Sequence, residues 1–327
     1  MLAPCHKPIS ISPVVNRNTN CSAMSSTKPL VWLITGCSSG FGESLTFIAL
    51  RAGHIVIATS RTPSRTPEAV NEVEELGGIW LPLDVSAPLP VHQAVVKEGI
   101  EKFGRIDVLV NCAGMSVIGA VEDFSNDEAH LVMDTNFFGA LKLTQAVIPH
   151  MRAQKSGTIV NISSGAGIDP SPSMGLYAAS KFALEGLSEC LVKELTPFGI
   201  RVLIVQPGAF TTNMINAVLV TKQITAAYKD TQLGQFVGMF NVPPTERTFK
   251  APSDVNKGCQ GIFEVVTGMG RGKGKGGHLR VVLSEDNAER TLKQTKMALE
   301  ARLAFKDIWK NTKHDGGELK GHSANGK

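Results

Sequence analysis

Leu30-Val31-Trp32-Leu33-Ile34-Thr35 is an apolar run that leads directly into Gly36-Cys37-Ser38-Ser39-Gly40-Phe41-Gly42. The first six residues read as a buried strand, and Gly40–Ala52 as a helix. The three glycines between them let the backbone turn tightly and approach a pyrophosphate closely. The helix that follows offers unpaired N–H groups and the positive end of its dipole to phosphate oxygens. A glycine-rich turn at such a strand-to-helix junction is how a βαβ unit that binds a dinucleotide opens.

The alternation continues outward from that turn. Further strands are expected at His54–Thr59, Ile79–Leu83, Ile106–Asn111, Thr158–Ile162, Ile200–Val205 and Leu279–Leu283. Helices are expected at Val91–Phe103, from about Asp127 to Met151, at Leu176–Leu195, at Asp254–Val266 and from about Asp286 to Trp309. Strands that are apolar on both faces and separated by helices argue for a parallel sheet covered on each side. The fold class is therefore α/β, a doubly wound, Rossmann-like and mainly parallel sheet of about seven strands in a single domain.

The domain is placed at residues 29–310, with polar tails expected to be disordered at 1–28 and 311–327. Residues 208–253 show no clean period but carry Phe210, Met214, Ile215, Tyr228, Phe236, Met239 and Phe240. They are too apolar for a free linker and read as a substrate lid. The stretch Thr267–Gly277 is rich in Gly and Lys, yet its spacing is not that of a P-loop, and it reads as a basic turn. Residues 1–23 are acid-poor, but Pro4, Pro8 and Pro13 oppose the amphipathic helix of a transit peptide, and Met24 is an alternative start.

Composition narrows the function classes. The chain has 327 residues, 43% hydrophobic and 19% charged, which excludes a wholly disordered chain. A net charge of +4 is too small an excess to suggest a nucleic-acid partner. No apolar run reaches the roughly 18 residues of a membrane span. Six scattered cysteines without a C-x-x-C pair give neither zinc spacing nor a disulfide framework. Free thiols and a cytoplasmic location follow from that pattern.

The end of the second strand bears on the cofactor. NAD-binding chains place a carboxylate there for the ribose hydroxyls. Here the residues are Ala58-Thr59-Ser60-Arg61. Arg61 attracts a 2′-phosphate and Ser60 can add a hydrogen bond, so NADP(H) is the expected cofactor. Arg61 also fits a solvated residue at a strand end.

Tyr177-Ala178-Ala179-Ser180-Lys181 places a phenol and an ammonium on one helix face. The ammonium favours the phenolate and should draw the tyrosine below its usual pKa of about 10. A phenol tuned in this way can exchange a proton with a carbonyl or alcohol oxygen. Alone, the pair also fits an exposed helix face, and its weight comes from its neighbours. Asn161-Ile162-Ser163-Ser164-Gly165 ends the fifth strand with a serine that can polarise a carbonyl or simply make a turn. Asn136 stands within a helix, where Asn is a poor helix former and needs partners if buried. Asn111-Cys112-Ala113-Gly114 forms a further small polar turn.

Taken together and in this order, these residues resemble the short-chain dehydrogenase/reductase family, from about Leu30 to Ser284. The motifs are T-G-x-x-x-G-x-G, N-x-A-G, the helical Asn, a serine 13 positions before the tyrosine, Y-x-x-x-K and P-G. The branch resembled is the single-domain one with NADP-type residues. The resemblance implies that Tyr177 is the proton donor or acceptor, that Lys181 tunes it and holds the nicotinamide ribose, and that Ser164 orients the substrate oxygen. It gives Asn136 the support of the lysine. Gly36, Ser38, Ser39, Gly40, Phe41 and Gly42 would cradle the pyrophosphate, Asp84 would touch adenine, and Asn111 would lie along the cofactor. Thr212, after Pro207-Gly208, would touch the carboxamide and diphosphate. Cys112 departs from the family, which commonly has a second Asn there.

The implied reaction interconverts a carbonyl and a secondary alcohol. Ile168, Pro170, Met174, Phe210, Met214 and residues 236–240 are candidate pocket residues, and their apolar character points to a lipophilic ketone as the small-molecule substrate. A tailoring reductase, epimerase or dehydratase on the same scaffold, or a non-enzymatic NADP sensor, is the alternative. A homodimer or homotetramer through the long helices is the expected assembly.

Overall fold

The computed structural model describes residues 28–247 and 251–312. The tails expected at 1–28 and 311–327 lie outside these residues, apart from positions 28, 311 and 312.

Seven strands form one sheet: β1 (Val31–Thr35), β2 (Ile55–Ser60), β3 (Ile79–Pro82), β4 (Val108–Asn111), β5 (Gly157–Ile162), β6 (Ile200–Pro207) and β7 (Arg280–Leu283). Their spatial order is β3-β2-β1-β4-β5-β6-β7, and every pairing is parallel. Val31 pairs with Ile55 on one side, and Trp32 with Val108 on the other. The order reverses between β1 and β4, so the crevice at their carboxyl ends is the topological switch point where ligands of such sheets bind.

Alternation along β1 explains the two cores. Trp32 and Ile34 face a layer that holds Leu45 and Ala49 of α1 (Gly40–Arg51) and Cys259, Ile262 and Phe263 of α8 (Val255–Thr267). Val31 and Leu33 face the opposite layer. There Val95 of α3 (Leu89–Phe103), Leu143 and Val147 of α5 (Gly139–Gln154), and Leu191 of α6 (Gly175–Leu195) cover them. Each such large side chain contributes about 2 kcal/mol by leaving water. Helices thus lie on both faces of a single domain.

Three parts differ from the sequence reading. A short helix α2 (Pro67–Glu75) precedes β3, and only Val73 of it is buried. The helix expected from Asp127 to Met151 is instead α4 (Asn126–Met133), a wide π turn (Asp134–Phe138) and α5. Ser125 opens α4 with a reciprocal capping box to Glu128. The π turn carries Asn136 inward, and such turns recur at functional sites.

The third part is the segment after β6. It contains a helix, α7 (Gln232–Phe240), and a two-residue strand, Leu219–Val220, that pairs with Val117–Ile118. Val237 and Phe240 of α7 pack with Ile118, Ile215 and Val218. Arg247 braces the whole segment: its guanidinium donates to the carbonyls of Ile215 (2.7 Å), Asn216 (3.1 Å), Val218 (3.2 Å) and Phe240 (3.1 Å). The last long helix, α9 (Glu285–Ala304), starts against the carboxyl end of β6 and is followed by one short helix, Lys306–Lys310. In the Gly/Lys-rich stretch after α8, Arg271 Nε pairs with Glu264 at 2.6 Å.

Candidate active site

The turn after β1 has its shape because of its glycines. Gly36 takes a left-handed φ of 74°, and a β-carbon there would come within 2.9 Å of Ala113 Cα. Gly40 takes a φ of 64° as α1 begins. Gly42 packs so closely on the turn that a β-carbon would collide with the Gly36 carbonyl oxygen. Ser39 precedes α1 in an extended conformation and its side chain does not cap the helix. Ser38 is exposed. The first-turn N–H groups of α1 therefore face an open glycine-lined turn, which suits a phosphate-bearing group. Thr212 lies over this turn, 3.4 Å from where a Gly40 β-carbon would be. Phe41 turns its ring away, edge-on to Phe210 at 5.0 Å between centroids. Phe210 therefore packs beside α1 and α8, where a Gly258 β-carbon would touch it.

At the end of β2, Arg61 is exposed and near Asp84. Burial alone would raise the Asp84 carboxyl. Hydrogen bonds from the Ser86 amide (2.9 Å) and hydroxyl (2.8 Å), and the charges of Arg61 and His92, bring it below its ordinary value. Ser60 is buried, and its hydroxyl accepts from Trp80 Nε1 at 3.0 Å, so it is turned into the sheet and not out beside Arg61. Asn111 is likewise turned inward. Its amide donates to Thr144 Oγ1 (3.1 Å) and Asn161 Oδ1 (2.8 Å), which leaves the main chain as what this position can offer a ligand.

Tyr177 and Lys181 project from α6, with 6% and 4% of their surface exposed. Tyr177 and Ser164 share a side-chain hydrogen bond, and the Ser164 oxygen also accepts from the Ala166 amide at 3.1 Å. Ser163 is committed elsewhere, donating to Glu185 Oε1 at 2.6 Å, so Ser164 is the serine beside the phenol. Lys181 Nζ donates to the Ile162 carbonyl at 2.8 Å and lies 5.5 Å from the Tyr177 ring centroid.

Asn136, 2% exposed, binds Met115 at both ends of its amide. It accepts from the Met115 N–H at 2.8 Å and donates to the Met115 carbonyl at 2.9 Å, with a further donation to Ser180 Oγ at 3.0 Å. Asn136 Oδ1 and Lys181 Nζ converge on Gly114, whose β-carbon position is 3.4 Å and 3.7 Å from them. The Asn and the Lys thus meet across a glycine.

The electrostatics differ from the sequence reading in one respect. The Lys181 charge was expected to draw Tyr177 down. In the structure burial pushes Tyr177 above its ordinary value, and the Ser164 hydrogen bond only offsets part of that. Burial instead acts on Lys181 and lowers it to about 8, against the raising effect of Cys112 and Glu185. The phenol therefore holds its proton at neutral pH.

The sequence reading passed over Glu185 and the side chains at the start of α9. Asp286 accepts from the Ala209 amide at 3.2 Å and Asn287 donates to the Gln206 carbonyl at 2.7 Å. Glu185 alone left a trace, as a carboxylate four residues after Lys181 on the buried face of α6.

Comparison with known proteins agrees with this geometry. The family model described as short chain dehydrogenase matches residues 30–223. This chain belongs to the short-chain dehydrogenase family. Among curated proteins, the oxidoreductase claN of Passalora fulva is 48% identical over 187 residues, 57% of this chain and 84% of that protein. The 3-ketodihydrosphingosine reductase of Bacteroides thetaiotaomicron is 45% identical over 186 residues, 57% of this chain and 65% of that protein. A short-chain dehydrogenase from Streptomyces avermitilis superimposes with a TM-score of 0.76 and 31% identity, covering 88% of this chain and all of the other. A metagenomic short-chain oxidoreductase in complex with NADP gives 0.52 at 31% identity, covering 55% of this chain and 82% of the other. A Burkholderia phymatum short-chain dehydrogenase/reductase in complex with NAD, 20% identical, shares the fold with a TM-score of 0.67 over 89% and 99% of the two chains.

This short-chain dehydrogenase is thus an enzyme of an oxidoreductase family whose structural neighbours bind NAD or NADP. Among the described residues no helix is long and apolar enough to cross a membrane.

Proposed function

We propose that this enzyme uses NADP(H) to interconvert a lipophilic ketone and a secondary alcohol, and that reduction is its working direction. The observation that carries the reading is the buried Tyr177, hydrogen-bonded to Ser164 and one helical turn from Lys181, at the carboxyl end of the sheet. A nicotinamide cofactor, held by the residues named below, would supply the hydride chemistry. Ser164 donates a hydrogen bond to the carbonyl oxygen and polarises it. Tyr177 gives its proton to that oxygen as negative charge develops there. The Lys181 ammonium stabilises the phenolate left behind, in a site where burial makes each charge count for more than in water. Asn136 fixes the Met115 backbone and the Ser180 hydroxyl beside them. Burial keeps the Tyr177 phenol in its protonated form, the form that reduction calls on.

Gly36, Ser38, Ser39, Gly40, Phe41 and Gly42 would hold the diphosphate mainly through their main chain, with Thr212 beside them. Asp84 would meet the adenine. Arg61, with no carboxylate at the end of β2 to repel a 2′-phosphate, favours NADP(H). Two methionines line the approach to the reacting groups: Met174 packs on Tyr177, and Met214 reaches the Gly114 position beside Lys181. The described part of the 208–253 segment, with α7 and the Arg247 brace, would form the lid over them. The name of the Bacteroides relative, 3-ketodihydrosphingosine reductase, supports a lipophilic substrate. The free thiols support a cytoplasmic location. Exposed Leu131, Phe138 and Phe182 on α4, the π turn and α6 support pairing through these helices into a homodimer or homotetramer.

Fluorescence titration tests the cofactor assignment. NADPH should bind more than about tenfold tighter than NADH, a difference of about 1.4 kcal/mol. Arg61→Ala should remove most of that preference by weakening NADPH alone. Tighter binding of NADH by the unaltered protein would overturn the assignment and turn a substrate screen toward alcohol oxidation.

A further inference from the structure

Tyr177, Lys181 and Glu185 follow one another at four-residue steps on α6 and share its buried face. A carboxylate at the third of these positions needs a reason, because burying a charge is costly unless it is paired and hydrogen-bonded. Glu185 is only 5% exposed and its oxygens are fully engaged. Ser163 Oγ donates to it at 2.6 Å, Gln206 Nε2 donates to both of its oxygens at 2.9 Å, and Arg280 Nε lies 3.3 Å away. These three partners come from three neighbouring strand segments. Ser163 follows β5 and immediately precedes Ser164. Gln206 lies at the end of β6, just before Gly208. Arg280 begins β7. Gly167 closes the arrangement, since a β-carbon there would stand 2.7 Å from both Glu185 Oε1 and Ser163 Oγ.

We propose that Glu185 is a positioning residue for the reaction: its carboxylate fixes the serine-bearing end of β5 against β6 and β7 and sets a negative charge one helical turn from Lys181. Burial lowers Lys181 to about 8, and the negative charge of Glu185 opposes that fall. The other titratable or charged groups around the pair, among the described residues, are Tyr177 and Glu189 on α6, Cys112 after β4, Arg280 on β7, and Asp286 and Arg290 on α9. Arg280 divides its charge between Glu185 and Glu189, so Glu185 keeps a net negative influence on Lys181. The inference rests on the roles given above to Tyr177, Ser164 and Lys181.

The test is the pH dependence of kcat/KM for ketone reduction. The reaction requires protonated Lys181, so turnover falls as pH rises through its pKa. Glu185→Gln keeps the size of the side chain and removes its charge. The alkaline limb should then move down by about one pH unit, because of the two influences that oppose burial, Cys112 and Glu185, the second is gone. Ser163→Ala leaves the charge in place, so kcat should fall several-fold with the limb unmoved. Should Glu185→Gln fold poorly, the double replacement of Glu185 by Gln and Arg280 by Met removes both charges together and should show the same downward direction.

A limb that stays within about 0.2 unit of the unaltered enzyme in the charge-removing variants overturns the proposal. A strut without electrostatic influence would lower kcat in all three variants and move no limb. Tyr177→Phe is assayed in parallel. If it keeps turnover, the reading of the site itself fails; if it is inactive and the limb still does not move, only the role of Glu185 fails.

Discussion

Tyr177→Phe is expected to abolish carbonyl reduction while leaving dinucleotide affinity within about tenfold of the unaltered enzyme, or 1.4 kcal/mol. The replaced ring keeps its packing against Met174, Ala166 and Ala178, so the helix face survives. What disappears is the hydroxyl, the hydrogen bond it shares with Ser164, and the proton. Loss of one such hydrogen bond costs about 1 kcal/mol of stability. Loss of a general acid typically costs 10²–10⁴ in rate, and here Ser164 cannot replace it, because a serine hydroxyl is a far weaker acid. The measurement is kcat with an active ketone, Kd for the reduced cofactor, and Tm on the same preparation. Retained turnover would remove Tyr177 from the acid role. Lost turnover with a Tm fall of more than a few degrees would call for circular dichroism before the chemistry is read.

Gly42→Ala should weaken dinucleotide binding by more than tenfold and cost about 1–3 kcal/mol of stability. The added methyl meets the Gly36 carbonyl and, at 3.1 Å, the Cys37 amide, and neither is a flexible side-chain end that can swing aside. The turn has to open, which displaces the N–H groups of α1 from the place where they face a phosphate. Gly53→Ala is the control. Gly53 also has a left-handed φ, 81°, but a β-carbon there meets nothing within 4 Å and the turn lies at the other end of α1. That variant should lose about 1–2 kcal/mol of stability through backbone strain with affinity unchanged. If both variants bind the dinucleotide equally well, the glycine turn is not the diphosphate site.

The strands were the most legible part of the chain because a parallel sheet buried on both faces writes itself as continuous apolar runs. All seven fall within a few residues of where periodicity places them. Segments with a weaker apolar signature were harder. Helix α2 buries only Val73, so its residues look like loop. Helix α7 contains Gly234 and Gly238, which blur its period, and its apolar side chains pack against Ile118, more than a hundred residues earlier. The π turn is invisible to any count of 3.6 residues per turn, since its cause is the docking of Asn136 on Met115.

In the site, motif spacing selected the phenol, the ammonium and Ser164. It could not give the direction in which Tyr177 shifts, because a lysine four residues away is written in the chain and the depth of burial is not. Nor could it place the side chains of Ser60 and Asn111, which the sheet turns inward to Trp80 and Thr144.

The order of the strands has a consequence for how the molecule is made. β2 joins β1, and β3 joins β2; β4 then adds to the free side of β1, and β5, β6 and β7 each add to the strand before them. No strand has to be threaded between two that are already paired. Parallel sheets are slow to form because their partners are distant in the chain, as with the Val31 amide and the Asp107 carboxylate that receives it. Outward growth eases that difficulty during synthesis, when the amino-terminal part emerges first. A nascent chain that has reached Asn111 already carries four strands in their final neighbourhood, and every later strand needs only an open edge to find its place.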